Sequence, residues 1–403
     1  MSAWLVPQDR LTAEQRRAVE IPADAHCVIS GGTGSGKTQV ILHRAKHLSS
    51  RFAVPPERFR IVVFASTLRR SLASVCPLLD IPPECITTFR DFCVEYYRTH
   101  IDEKFPWVNY GIGTLSRPDF WGMRPDVERH ASKSLGPAYD FLLVDEGQDL
   151  DINAFFLFRA LARHITVTVD HCQQIYPNRA SERQILSALD LHDRSMTLPG
   201  CLRCNPHVVN LAAALLEDPA DRQAFLSHVR EVPQDRETPV IYFAPPFSYT
   251  PHLAQTIRDR QLAGDRVGVI VPTQKCIPTV AENLREHGVD IETGEDRDFT
   301  SMKPKLFSYH GCKGLTFDAV CLPFLEDAAL WDPIIDDLPR FLFLAITRAT
   351  RWVYISSKFY NPLPIIESLL PLEKEGIISI RDYRNEAPEE KSAPGNEGPL
   401  DFL

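Results

Sequence analysis

Residues 31–38 read GGTGSGKT, between a short apolar stretch, His26 to Ser30, and a helix-like run, Gln39 to Leu48. Gly31, Gly36, Lys37 and Thr38 fit the pattern G-x-x-x-x-G-K-[ST]. Glycines let the backbone curl so that its N–H groups surround phosphate oxygens. A helix start adds partial positive charge, a lysine reaches the outer phosphates, and a threonine hydroxyl coordinates Mg²⁺. Gly31, Gly32, Thr33, Gly34, Ser35, Gly36, Lys37 and Thr38 are therefore candidates for holding a nucleoside triphosphate with its Mg²⁺. The loop alone does not say which phosphate chemistry follows. A second acidic group narrows it. LLVDEGQD, residues 142–149, ends an apolar run with Asp145 and Glu146. A carboxylate at such a strand tip can hold Mg²⁺, and its neighbour can polarise an attacking water. A small-molecule kinase would not need the adjacent glutamate; a hydrolase that turns over ATP would.

The elements that must position these groups follow from the pattern of the chain. Short apolar, β-branched runs occur at 27–30, 60–65, 139–145, 165–170, 267–272, 319–324 and 352–356, separated by longer helix-like segments. Continuous apolar strands alternating with helices predict parallel sheets covered on both faces. The runs fall into two groups, before about 195 and after about 238, so two α/β domains are expected, with a boundary near 195–200. No internal repeat of fixed period is visible. From Arg384 onward the chain is rich in Pro, Glu, Gly and Asn and poor in large apolar residues, and disorder is expected there.

Composition sets outer limits. The 403 residues are 44% apolar and 24% charged, as in a globular protein with a full core. No apolar run reaches the length of a membrane span, and the N-terminus does not read as a secretory signal, so a cytoplasmic protein is expected. The ten cysteines are scattered and read as reduced thiols. A net charge of −9 argues against indiscriminate coating of nucleic acid but not against a local basic groove. Cys201, Cys204 and His207 lack a fourth zinc ligand at suitable spacing.

The order of further motifs is specific, and the chain resembles the UvrD/Rep/PcrA type of superfamily 1 helicase. LTAEQRRAVE (11–20), GGTGSGKT (31–38), TTFRDF (87–92), DEGQD (145–149), VDHCQQIY (169–176), LPGCLRCNPHVVNLA (198–212), SYHGCKGLTFDAV (308–320) and FLAITRAT (343–350) are similar to that family's motifs, in its order. The resemblance implies two RecA-like domains in tandem, 1–197 and 198–380, with a small insertion at about 98–138, one ATP·Mg²⁺ between them, and a tail from 384. It implies that Gln15 reads the adenine edge, Asp145 and Thr38 hold Mg²⁺, Glu146 activates water, and Gln173 senses the terminal phosphate. Arg203 and Arg348 would approach from the second domain, so that hydrolysis is tied to closure. Phe89, Arg90, Tyr176, Arg179, His310 and Lys313 are the candidates for single-stranded nucleic acid, DNA in the family. Four of these have a plainer role open to them. Tyr176 would pack under its loop, Arg90 and Arg179 would be solvated or cap a helix, and His310 would bond locally.

Several positions depart from the family pattern. Leu202 stands in place of an adenine-stacking aromatic, Thr316 in place of the Glu of KGLEF, and Asn178 in place of a base-stacking residue. The gaps from Phe92 to Asp145 and from Arg203 to His310 leave little room for the family's accessory subdomains. Two readings follow: a compact translocase or 3′–5′ helicase, or an ATP-gated regulatory subunit of a partner such as a nuclease in a defence or repair complex. The terminal PLDFL is a docking candidate for such a partner.

Overall fold

The computed structural model describes residues 5–104, 106–109, 116–133, 136–170, 179–199, 204–227, 237–244, 246–295, 297–325, 337–357 and 362–383. Gln173, Tyr176, Leu202, Arg203, Asn178 and the tail from 384 lie outside them.

The strands run β1 (Cys27–Gly31), β2 (Phe59–Val63), β3 (Ile86–Thr88), β4 (Trp107–Asn109), β5 (Ser116–Pro118), β6 (Tyr139–Val144), β7 (Ala162–Val169) and β8 (Met196–Leu198) in the first half. In the second half they are β9 (Val240–Phe243), β10 (Val267–Val271), β11 (Lys305–Ser308), β12 (Phe317–Leu322), β13 (Ala349–Ser357) and β14 (Ser379–Asp382). Apart from the β4–β5 ribbon, they form two six-stranded sheets, ordered β3-β2-β6-β7-β1-β8 and β11-β10-β12-β13-β9-β14. Every pairing within both sheets is parallel. With the ribbon set aside, the orders are identical: third, second, fourth, fifth, first, sixth. The second sheet thus repeats the winding of the first without a repeat in sequence.

Helices α1 (Ala13–Glu20), α2 (Lys37–Phe52), α3 (Ser66–Ala73), α4 (Phe89–His100), α5 (Phe120–Ala131), α6 (Ile152–Leu161) and α7 (Glu182–Ala188) accompany the first sheet. With the second sheet come α8 (Pro206–Ala213), α9 (Pro219–Ser227), α10 (Pro246–Leu262), α11 (Ile277–Glu286), α12 (Leu338–Ile346) and α13 (Pro364–Leu369). Helices on both faces explain why β1 and β10 are buried along their whole length. Separate apolar clusters fill the space on either side of each sheet.

The α1–α2 corner shows how the first helix is held against the sheet. Arg44 on α2 is 0% exposed, and its guanidinium donates to Val19 O at 2.9 Å, Ile21 O at 2.7 Å and Thr166 Oγ1 at 2.8 Å. These bonds satisfy the open carbonyl end of α1 and lock it to α2 and β7. At the other end of α1, Thr12 and Gln15 form a capping box. Thr12→Ala is expected to lower stability by about 1 kcal/mol, seen as a lower denaturation midpoint; an unchanged midpoint would show the cap to be idle.

Candidate nucleotide site between the two sheets

β6, β7 and β1 are neighbours in the first sheet, so their C-terminal tips bring Asp145, Asp170 and the glycine-rich loop to one edge. The loop runs from the end of β1 into α2. Gly36 has φ +86°, and a Cβ there would meet Gln15 Nε2 at 2.2 Å, so both conformation and proximity require glycine. Gln15 donates through Nε2 to Ser35 O at 2.9 Å and accepts from Thr12 N at 3.0 Å. The residue expected to read the base thus also braces the loop. Thr33 and Gly34 line the cleft beside it.

Lys37 is buried; its Nζ donates to Gly31 O at 2.9 Å and Gly32 O at 3.2 Å and pairs with Asp170 Oδ2 at 3.0 Å. Burial alone would lower its pKa, but Asp170 and then Glu146 hold it above the ordinary lysine value. Asp170 is a site residue the sequence reading passed over; the signal was a second carboxylate at a strand tip.

Asp145 accepts from Thr38 Oγ1 at 2.7 Å and from Thr168 Oγ1 at 2.6 Å. Burial, and then the charge of Glu146, push its carboxyl up to about 6. A carboxylate sealed beside a hydroxyl, in a site that disfavours its charge, is a hard-oxygen pair suited to Mg²⁺. Glu146 sits at φ 54°, in the left-handed region that non-glycine residues rarely adopt. Its carboxylate accepts from Gln148 Nε2 at 2.5 Å, and Gln148 Oε1 accepts in turn from Asp170 N at 3.0 Å. A Cβ on the next residue, Gly147, would lie 2.4 Å from Val167, so the turn that aims Glu146 is packed directly on β7.

The second sheet offers the opposite, N-terminal ends of its strands. Arg266 precedes β10, Lys305 begins β11, Thr316 precedes β12, and Arg348 and Arg351 flank the start of β13. All five line a cleft of about 400 Å³ whose other wall carries Gln15, Lys37, Thr38 and Glu146. Arg348 is buried; Nε donates to Leu344 O at 3.0 Å and Nη1 to Leu315 O at 3.4 Å. Arg351 is tethered by buried Asp265. Arg203, expected to join Arg348, lies outside the described residues.

The candidates for nucleic acid are placed less uniformly. Phe89 is 7% exposed and packs edge-to-face on Phe120 and Phe158, with Arg124 over its ring, so it presents no open face to a base. Its place at the start of α4, between α5 and α6, makes it a core residue. Arg90 donates to Pro118 O at 2.8 Å, tying α4 to the ribbon. Arg179 stands over the Phe64 ring at 5.7 Å. His310 is exposed beside Phe341, its pKa held down by partial burial and then by Lys313. Lys313 is not on an open surface. It is 2% exposed and its Nζ meets Asp149 Oδ1 at 2.5 Å, across the junction of the two sheets. The same junction holds Thr67 Oγ1 donating to Gly311 O at 2.8 Å and Arg70 donating to Glu295 O at 2.7 Å. The expected phosphate partner is therefore a buried cross-domain ion pair in this structure.

Two family models match the chain: an AAA domain over residues 15–179, and a viral superfamily 1 RNA helicase core domain over residues 123–357. A comparison with curated proteins finds no match. Among solved structures, the C-terminal domain of a possible DNA helicase from Lactobacillus plantarum WCFS1 aligns with a TM-score of 0.35 and 12% identity, covering 44% of this chain and 97% of that one. That likeness is too distant to carry an argument. The helicase core model reaches from the first sheet into the second and spans more than half of the residues, and on that ground the chain belongs to the superfamily 1 helicases.

Proposed function

We propose that the protein is an ATP-driven motor of UvrD type that moves along single-stranded nucleic acid, DNA in the first instance, with residues 1–197 and 198–380 as its two motor domains. The observation that carries the reading is the cleft: Thr33, Gly34, Gly36, Lys37, Thr38 and Glu146 face Arg348 across it, with Asp145 accepting from Thr38 Oγ1 behind them. Lys37 and the loop amides bind the phosphates. Thr38 and Asp145 would hold Mg²⁺, which supplies charge neutralisation at the phosphates. Glu146 takes the proton of the attacking water, and Arg348 meets the charge that develops as the terminal bond breaks. The alternation of closed and open cleft is then available to move a strand. The 3′ to 5′ sense follows from the resemblance alone.

ATP hydrolysis is expected to rise several-fold on adding single-stranded DNA, measured against single-stranded RNA and no nucleic acid. A rate indifferent to both would overturn the motor reading. The rival reading, an ATP-gated subunit for a partner nuclease, draws on the economy of the insertion. Among the described residues, only the ribbon and α5 lie between α4 and β6. Unwinding of a tailed duplex by the isolated chain would count against that rival.

A further inference from the structure

Asn205 precedes α8 and stands two residues after Arg203 in sequence. It is 2% exposed. Its Oδ1 accepts from His207 N at 2.9 Å, which is an ordinary N-cap that serine, threonine or aspartate would supply equally. Its amide nitrogen does more. Nδ2 donates to Glu237 O at 2.7 Å and to Arg351 O at 2.9 Å, while its backbone N–H donates to Thr350 O at 2.7 Å. The connection continues, because Thr350 Oγ1 donates to Phe317 O at 3.2 Å and Phe317 N donates to Arg348 O at 2.9 Å. Three stretches far apart in sequence, those of Asn205, Arg348 and Thr316, are thereby pinned together along the second-sheet wall of the cleft.

We propose that Asn205 is a positioning residue for ATP hydrolysis: it makes the start of α8 and the start of β13 one rigid block, so that Arg348 keeps its aim as the sheets close. This inference rests on the ATPase reading above. A guanidinium that must meet transition-state charge tolerates little drift, whereas ground-state nucleotide binding by the first sheet is indifferent to it.

The test uses the full chain with MgATP. Asn205→Ser keeps the cap oxygen and removes both amide donors; Asn205→Asp keeps the cap and turns the donors into acceptors facing two carbonyls. For both, kcat is expected to fall about 10-fold or more, with KM for MgATP within about twofold and, for Asn205→Ser, a melting midpoint close to that of the unaltered protein. A residue that merely caps α8 would leave kcat alone in either variant. Folded Asn205→Ser protein with kcat within about twofold of the unaltered protein would sink the strut while leaving the ATPase reading intact. Absence of ATP turnover in the unaltered protein would sink both.

Discussion

Glu146→Gln is expected to lower ATP turnover by about 10³-fold while nucleotide binding is retained. The substitution is nearly isosteric, and a glutamine carbonyl oxygen still accepts the bond that Gln148 Nε2 makes to this side chain. Backbone geometry at φ 54° is set by Gly147 packed on Val167 rather than by the side chain, so the residue stays aimed into the cleft. What disappears is the capacity to take a proton from water. On the proposed reading Lys37, Thr38 and the loop hold the phosphates, so binding is carried by other atoms. Lys37→Ala, by contrast, is expected to weaken binding and turnover together. Single-turnover hydrolysis beside equilibrium binding of ATP separates the two; full turnover in purified Glu146→Gln protein would remove Glu146 from the mechanism.

A second large effect is expected at the junction of the sheets. Lys313→Met leaves Asp149, 1% exposed, without its counter-charge, and breaking one side of a buried pair costs about 3–5 kcal/mol. The cost is pH-dependent in a definite sense. Burial pushes the Asp149 carboxyl up to about 7 against the opposing pull of Lys313, and without that pull it rises further. Its folded pKa is thus above its unfolded value. The folded state gains by keeping the proton at low pH and loses that gain as pH rises through the folded pKa. The Lys313→Met deficit is therefore expected to be small at about pH 5.5 and clearly larger at about pH 8.5, on the two sides of that shifted value. Asp149→Asn combined with Lys313→Met is expected to recover most of it, since no charge is then stranded. Denaturation midpoints at the two pH values measure this; a deficit that is small and flat with pH would show that the pair is solvated in solution.

The parts of the molecule that were legible in the sequence are those whose signal is local. The run at 27–30 became β1 and the run at 139–145 became β6, because strands buried on both faces must be continuously apolar. Ile86–Thr88, Met196–Leu198 and Ser379–Asp382 escaped notice because edge strands of three or four residues leave no period to detect. The glycine-rich loop and DEGQD were legible for the same local reason. Phe89 was not, because an aromatic residue suits a base platform and a core equally, and α5 and α6 decide between them. Lys313 sits in a motif that resembles one touching the strand in the family, and its pairing with Asp149, 164 residues away, leaves no local trace in the sequence. Asn205 carried no signal beyond that of a helix cap, since its amide partners at Glu237 and Arg351 are distant in sequence.

The twofold occurrence of one strand winding has a consequence for symmetry and stoichiometry. The copies meet head to tail: C-terminal strand tips of the first face N-terminal strand ends of the second, a heterologous contact rather than a self-complementary one. Such a contact leaves the second copy's own C-terminal tips at the far edge, away from the cleft. After β9, where the first copy carries GGTGSGKT, the second reads APPFS, without a glycine or a lysine. The duplication therefore provides two scaffolds but one phosphate loop, and titration with nucleotide should saturate at a single equivalent per chain.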